Sequence, residues 1–156
     1  MKTLITFYSR TGTTKKVAEA LAQKLGAEIE EIKDTVPRGG AKGYLLSGRD
    51  ATLRRLTKIE PLKFNPGDFE LVIIGTPIWS WNLSVPIRTY LQQQKNNFPK
   101  VAFFATMGGS GDERASEEAE KIINQKFSAH LALTTKEVIK DDYINKLDKF
   151  VAEINS

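Results

Sequence analysis

The chain contains no cysteine and a single histidine, His130. The first absence excludes disulfide scaffolds, thiol nucleophiles and thiolate metal sites. The second leaves zinc ligation and Ser-His-Asp chemistry without the imidazoles they need. No apolar run is long enough to cross a bilayer, so no membrane partner is expected. Two glycine-coded nucleotide loops are also missing: there is no G-x-G-x-x-G and no Gly-Lys-Ser/Thr.

What is present is the composition of a folded domain. The chain has 156 residues, 40% hydrophobic and 27% charged, which predicts one domain over 1–156 and excludes disorder. Lysine and arginine number 23 against 19 acids, a net charge of +4. The excess gathers in Arg38, Lys42, Arg49, Arg54, Arg55 and Lys58, a stretch able to steer an anion but read first as a solvated helix face. Met1-Lys2-Thr3-Leu4-Ile5 runs straight into a β-like segment with no small-residue cleavage site behind it, so no signal peptide and a cytoplasmic location are expected.

Short apolar runs alternate with amphipathic stretches, the βαβα order of a parallel sheet covered by helices. Strands are predicted at Thr3 to Tyr8, Ala27 to Ile32, Leu71 to Gly75, Val101 to Thr106 and Leu131 to Ile139. The first, third and fourth are almost wholly apolar and read as central, whereas the half-polar second and fifth read as edges. The predicted fold is therefore α/β: a doubly wound, five-stranded parallel sheet of order 2-1-3-4-5, a flavodoxin-like three-layer sandwich. Helices are expected at Thr13 to Leu25, after a Ser84 cap with Pro86 in the first turn, along Ala115, Ala119, Ile122, Ile123 and Phe127, and from Asp141 or Asp142 onward with Tyr143, Leu147, Phe150, Val151 and Ile154 on one face. The irregular 33–68 segment predicts one more, through Leu45, Thr52 and Leu56.

In such a sheet a ligand lies at the carboxyl ends of the strands, where the strand order reverses. Ser9-Arg10-Thr11-Gly12-Thr13-Thr14 leaves the first strand there and enters a helix, carrying four hydroxyls and one glycine. Free N–H groups, the helix dipole and the hydroxyls together make an anion cradle suited to a single phosphomonoester. One hydroxyl would satisfy an ordinary cap; four exceed that need. After the third strand, Gly75-Thr76-Pro77-Ile78-Trp79-Ser80-Trp81-Asn82 brings two indoles to the same edge, and Trp79 is the residue expected to stack on a flat heteroaromatic ring. After the fourth, Thr106-Met107-Gly108-Gly109-Ser110-Gly111-Asp112 exposes backbone amides of Gly108 and Gly109, with Asp112 either a helix cap or a charge near the ligand. His130 is expected in surface or core packing.

These three segments, in this order and spacing, resemble the flavodoxin family over nearly the whole chain. The resemblance implies non-covalent FMN: phosphate at Ser9 to Thr14, ring and ribityl chain at Pro77 to Asn82, and the other ring edge at Thr106 to Asp112. Electron carriers of that family are often strongly acidic and clasp the ring between two aromatics, the second a tyrosine of the third loop. This chain is basic and has no aromatic in Met107 to Asp112, which leaves one face of the ring open.

The function expected is electron transfer through bound FMN, with redox proteins as partners. The alternative is an FMN-dependent NAD(P)H:quinone-type oxidoreductase that admits a nicotinamide and a small acceptor to the open face. The flavin would carry the redox chemistry, so no catalytic side chain and no metal are assigned. The protein is expected to be a monomer or a dimer. Gly40-Ala41-Lys42-Gly43 fits the G-x-x-G loop of KH modules, but the surrounding helix pattern is missing and no nucleic-acid partner is expected.

Overall fold

Apolar runs such as Leu71 to Gly75 and Val101 to Ala105 cannot offer a face to water on either side, and the structure puts them at the middle of a sheet. The computed structural model describes residues 1–156. Its parallel strands are β1 (Thr3–Phe7), β2 (Glu28–Glu31), β3 (Leu71–Trp79), β5 (Lys100–Met107) and β6 (His130–Thr134), in the order β2-β1-β3-β5-β6. This is the expected 2-1-3-4-5 arrangement with one addition: a short strand, β4 (Asn82–Leu83), folds back antiparallel on the end of β3. No helix is long and apolar enough to cross a membrane.

Side chains alternate across the pleat, so each strand feeds two cores. Leu4, Val72, Ile74, Val101 and Phe103 face one layer, packed against α3 (Val85–Gln94), α4 (Asp112–Ile123) and Ala51 of α2 (Gly40–Thr52). Ile5, Phe7, Ile73, Ala102 and Phe104 face the other, packed against α1 (Thr13–Leu25) and α6 (Ile144–Asn155), with Val138 of the single turn and a half α5 (Thr135–Ile139). Gly75 is required by this packing, because a Cβ there would lie 2.2 Å from the Phe104 ring.

Two expectations are corrected in these segments. The last strand does not run to Ile139. It ends at Thr134, which caps α5: the Glu137 N–H donates to the Thr134 hydroxyl at 3.1 Å, and the Glu137 carboxylate accepts the Thr134 N–H at 2.8 Å. The helix in the 33–68 segment stops at Thr52, and Leu45 and Leu56 face solvent. Its buried face is instead small and polar, made by Gly43, Ser47, Asp50 and Ala51. Gly40 to Gly43 accordingly opens a helix, and a Cβ on Gly43 would meet the Arg38 backbone at 2.1 Å.

Polar bonds take the place of apolar packing on that face. Arg38 is buried, its Nε donating to Asp34 at 2.5 Å and its Nη1 to Asp50 at 3.1 Å. Asp34 also accepts the Val36 N–H and the Thr57 hydroxyl. Arg49 and Arg55 converge on the other oxygen of Asp50. The basic stretch is thus no uniform solvated face, since half of its cations are held by carboxylates.

Burial pushes the Asp50 carboxyl up, but hydrogen bonds from Arg49 and Arg38 outweigh it and hold the group below its ordinary value. Such a depressed carboxylate stabilises the fold above its unfolded pKa, and that contribution is lost as pH falls through the folded value. Replacing Asp50→Asn should therefore lower stability at pH 7 by about 3 kcal/mol. In urea unfolding, the gap between variant and parent should narrow as pH drops below about 4.

Candidate functional site

The β1 to α1 turn forms because Gly12 adopts φ 97°, ψ −10°, a conformation open to glycine and strained for other residues. A Cβ there would meet nothing within 4 Å, so backbone conformation, not space, requires the glycine. With the chain so turned, the Ser9 hydroxyl accepts the N–H groups of Gly12 at 3.0 Å and Lys15 at 3.2 Å. The N–H groups of Arg10, Thr11, Thr13 and Thr14 have no acceptor in the protein. The Thr11 and Thr13 hydroxyls are also unbonded, whereas buried Thr14 shares a 2.8 Å hydrogen bond with Thr106 of β5. Four free amides and two free hydroxyls at the positive end of a helix form a concave donor surface for an anion.

Above this turn lies a cleft of about 240 Å³. Its floor and one side come from Arg10, Thr11, Thr13, Thr14 and Thr106, and the opposite side from Pro77, Ile78, Trp79, Met107 and Gly108. Two lining residues, Tyr44 and Thr135, were not anticipated from the sequence. Tyr44 stands exposed on α2 with the Arg10 guanidinium 5.4 Å from its ring centroid, and Thr135 donates to the Met107 carbonyl at 3.2 Å. Thr135 lies just beyond the carboxyl end of β6, where the doubly wound topology places ligands, whereas Tyr44 reaches the cleft from within α2. The signal for Thr135 is the Thr-x-x-Glu capping box of Thr134 and Glu137, which ends the strand at Thr134 and starts α5 at the cleft. No carboxylate lines the cleft, and Arg10 pairs with none.

The remaining expected residues sit around this cleft. Ser9 and Gly12 shape the turn from behind. Ser80 and Trp81 form the tip between β3 and β4, both at positive φ (49° and 60°). Trp81 is 60% exposed and its Nε1 donates to the Ser110 hydroxyl at 3.2 Å. Trp79 is 8% exposed: it meets Tyr8 edge-on at 5.4 Å and has the Arg38 guanidinium 5.4 Å from its ring centroid. Trp79 is thus a wall and Trp81 the indole free to meet a partner. Burial, with the nearby Asp34 charge, pushes the Tyr8 phenol up to about 12, so the group behind Trp79 stays neutral. Asn82 is buried, its Nδ2 donating to the Ser80 carbonyl at 2.6 Å. Asp112 opens α4 and lies 3.1 Å from His130, outside the cleft lining. Gly108 and Gly109 face open space, where an added Cβ would touch nothing within 4 Å.

The residues present fit the FMN implied by the resemblance: an unsatisfied donor turn for a phosphate, a cleft with apolar and aromatic sides, and glycine amides along an open rim.

Fold and cleft together define a doubly wound α/β protein with a turn of unpaired donors at its topological switch point. The sequence pattern of the flavodoxin family matches residues 2–150, and the chain belongs to that family. Among solved structures it resembles the flavoprotein of Lactobacillus acidophilus NCFM in complex with FMN, at 28% identity and TM-score 0.72, covering 89% of this chain and 97% of that one. The apo-form of the L. acidophilus flavoprotein gives 30% identity and TM-score 0.63, over 89% and 95% of the two chains. A WrbA-like flavodoxin from Agrobacterium tumefaciens shares the fold at 11% identity and TM-score 0.51, over 96% and 98%. No curated protein matches the sequence.

Gly12 and Gly109 separate the two uses of glycine here. Gly12→Ala should destabilise the protein by about 1–2 kcal/mol, because alanine is strained at φ 97°. Gly109→Ala, in open space and without a positive φ, should lose nothing in the same denaturation experiment.

Proposed function

We propose that the chain binds FMN non-covalently and works as an electron-transfer flavoprotein. One observation carries this reading: the free N–H groups of Arg10, Thr11, Thr13 and Thr14 open, with two free threonine hydroxyls, into a cleft that no carboxylate lines. A phosphate there would complete donors that the fold leaves unpaired. Bound FMN supplies one- and two-electron redox chemistry at its ring.

The protein's part is placement and electrostatics. Ser9 to Thr14 hold the phosphate, Pro77 to Trp79 wall the ring side, and Trp81 and Asn82 shape the hairpin above it. Thr106 to Gly109 offer backbone along the opposite edge, with Asp112 turned aside toward His130. Arg10, braced on Tyr44, adds positive charge without a competing carboxylate.

A second reading, hydride transfer from NAD(P)H to a small acceptor, is favoured by one specific feature. The rim at Gly108 and Gly109 carries no aromatic cover, so a flat donor has access to one face of the ring. In either reading the redox partners are a protein or a nicotinamide with its acceptor, and no side chain is assigned a chemical step.

Two measurements test this. FMN titrated into purified protein should bind one per chain, and Thr11→Val/Thr13→Val should weaken it about a hundredfold by removing two charge-assisted hydrogen bonds. Riboflavin, lacking the phosphate, should bind parent and variant alike; equal weakening of both ligands would overturn the phosphate assignment. Under anaerobic conditions, NADPH added to the FMN-loaded protein should leave its visible absorbance unbleached if it is a carrier. Rapid bleaching with turnover of a quinone would establish the hydride-transfer reading instead.

A further inference from the structure

A second cleft, of about 310 Å³, opens between α2 and the β3–β4 hairpin and shares Tyr44, Ile78 and Trp79 with the cleft above the donor turn. Its size lies at the lower end of small-molecule sites. We propose that this cleft is a ligand site of its own, built for a neutral, planar aromatic carbonyl compound of one or two rings, the class to which simple quinones belong.

Three features of the lining carry the proposal. Tyr44, Leu45, Ile78 and Trp79 supply apolar walls, two of them aromatic, which suit a flat conjugated ligand. Tyr44 and Leu45 are 64% and 71% exposed, apolar surface that a ligand would cover. Within the wall, Ser47 is buried on α2 and its hydroxyl has no hydrogen-bond partner. Buried hydroxyls are rarely left unpaired, and a ligand carbonyl would accept the bond.

Gly48 keeps the space open. A mid-helix glycine weakens α2 relative to alanine, yet no positive φ requires it there. A Cβ there would meet only the Ser80 hydroxyl, at 3.3 Å. The absence of a side chain is therefore felt mainly as room in the cleft. The charge pattern selects for neutrality. Arg49 is the only charged lining residue, and its guanidinium is committed to Asp50 through Nε at 3.2 Å and Nη2 at 3.0 Å. No free cation is left for a phosphate, and no carboxylate repels a carbonyl oxygen.

The proposal stands on this lining and needs no bound flavin, although adjacency across Tyr44 and Trp79 would place such a ligand beside the FMN site. The probe is 2,3-dimethyl-1,4-naphthoquinone, whose quinone ring has no hydrogen for a lysine to displace. In equilibrium dialysis it should bind one per chain, both to FMN-free protein and to protein saturated with FMN. Ser47→Val should weaken it five- to tenfold, the loss of one hydrogen bond. Gly48→Leu, which fills the cleft, should abolish binding. Ser47 does not line the donor-turn cleft, so Ser47→Val should keep its FMN affinity within twofold, and far-ultraviolet circular dichroism reports that both variants fold. The proposal is overturned if FMN expels the quinone, if both variants bind it like the parent, or if protein that takes up FMN binds none. Quinone binding lost in Gly48→Leu, by a protein that fails to take up FMN, would uphold this site while refuting the flavin reading.

Discussion

The buried guanidinium of Arg38 holds together the part of the molecule that the apolar core does not reach. It joins Asp34, just beyond β2, to Asp50 in the last turn of α2, and sits over the ring of Trp79. Its own carbonyl accepts from Arg10 at 3.5 Å. Without this node, α2 would have only Ala51 and a small polar face to press against the sheet. Isolating one partner of such a pair leaves a charge stranded out of water, which makes the arrangement all-or-none. Two of the three residues that line both clefts, Tyr44 and Trp79, are positioned by it: one rides on the helix it anchors, the other lies beneath it.

The donor turn works by the opposite logic. Where Arg38 is saturated with partners, the amides of Arg10, Thr11, Thr13 and Thr14 are left without them, although the turn itself is well determined by Gly12 and Ser9. Nearby cations that might disturb the balance are already paired, Lys15 with Glu31 and Lys16 with Asp141. Attraction for an anion therefore comes from oriented backbone dipoles and from Arg10, which no carboxylate neutralises. A rigid turn with unpaired donors loses little entropy when its ligand arrives, since the ordering was done in folding.

The sheet order and the three loops at its carboxyl edge were legible in the sequence because both follow from burial. A strand covered on two sides must be apolar throughout, as Leu71 to Ile74 and Val101 to Ala105 are. The α2 segment was not legible. Its inward face carries Gly43, Ser47 and Asp50, whereas the residues through which the sequence predicts the helix include Leu45 and Leu56, which face water. Tyr44 was lost with it. The two tryptophans show the same limit at a single site: Trp79 and Trp81 are two residues apart in one segment, and only tertiary contacts with Tyr8 and Arg38 decide that the first is buried.

The turn between β3 and β4 explains how those loops are held in register. A two-residue hairpin connection with positive φ at both positions normally recruits asparagine and glycine, yet here it is Ser80 and Trp81. Such backbone costs on the order of 1 kcal/mol or more per residue and persists only where neighbours over-determine it. They do so from three directions. The Ser80 hydroxyl donates to the Gly48 carbonyl of α2 at 3.3 Å, Asn82 donates to the Ser80 carbonyl, and the Trp81 indole reaches Ser110. Gly111 completes the fit, since a Cβ at that position would lie 2.8 Å from the Trp81 Cα. The tip is thus bonded to α2 on one side and to the third loop on the other, spanning the two clefts that share Trp79. Strain at Ser80 and Trp81 is the consequence of making one short hairpin fix the walls of both.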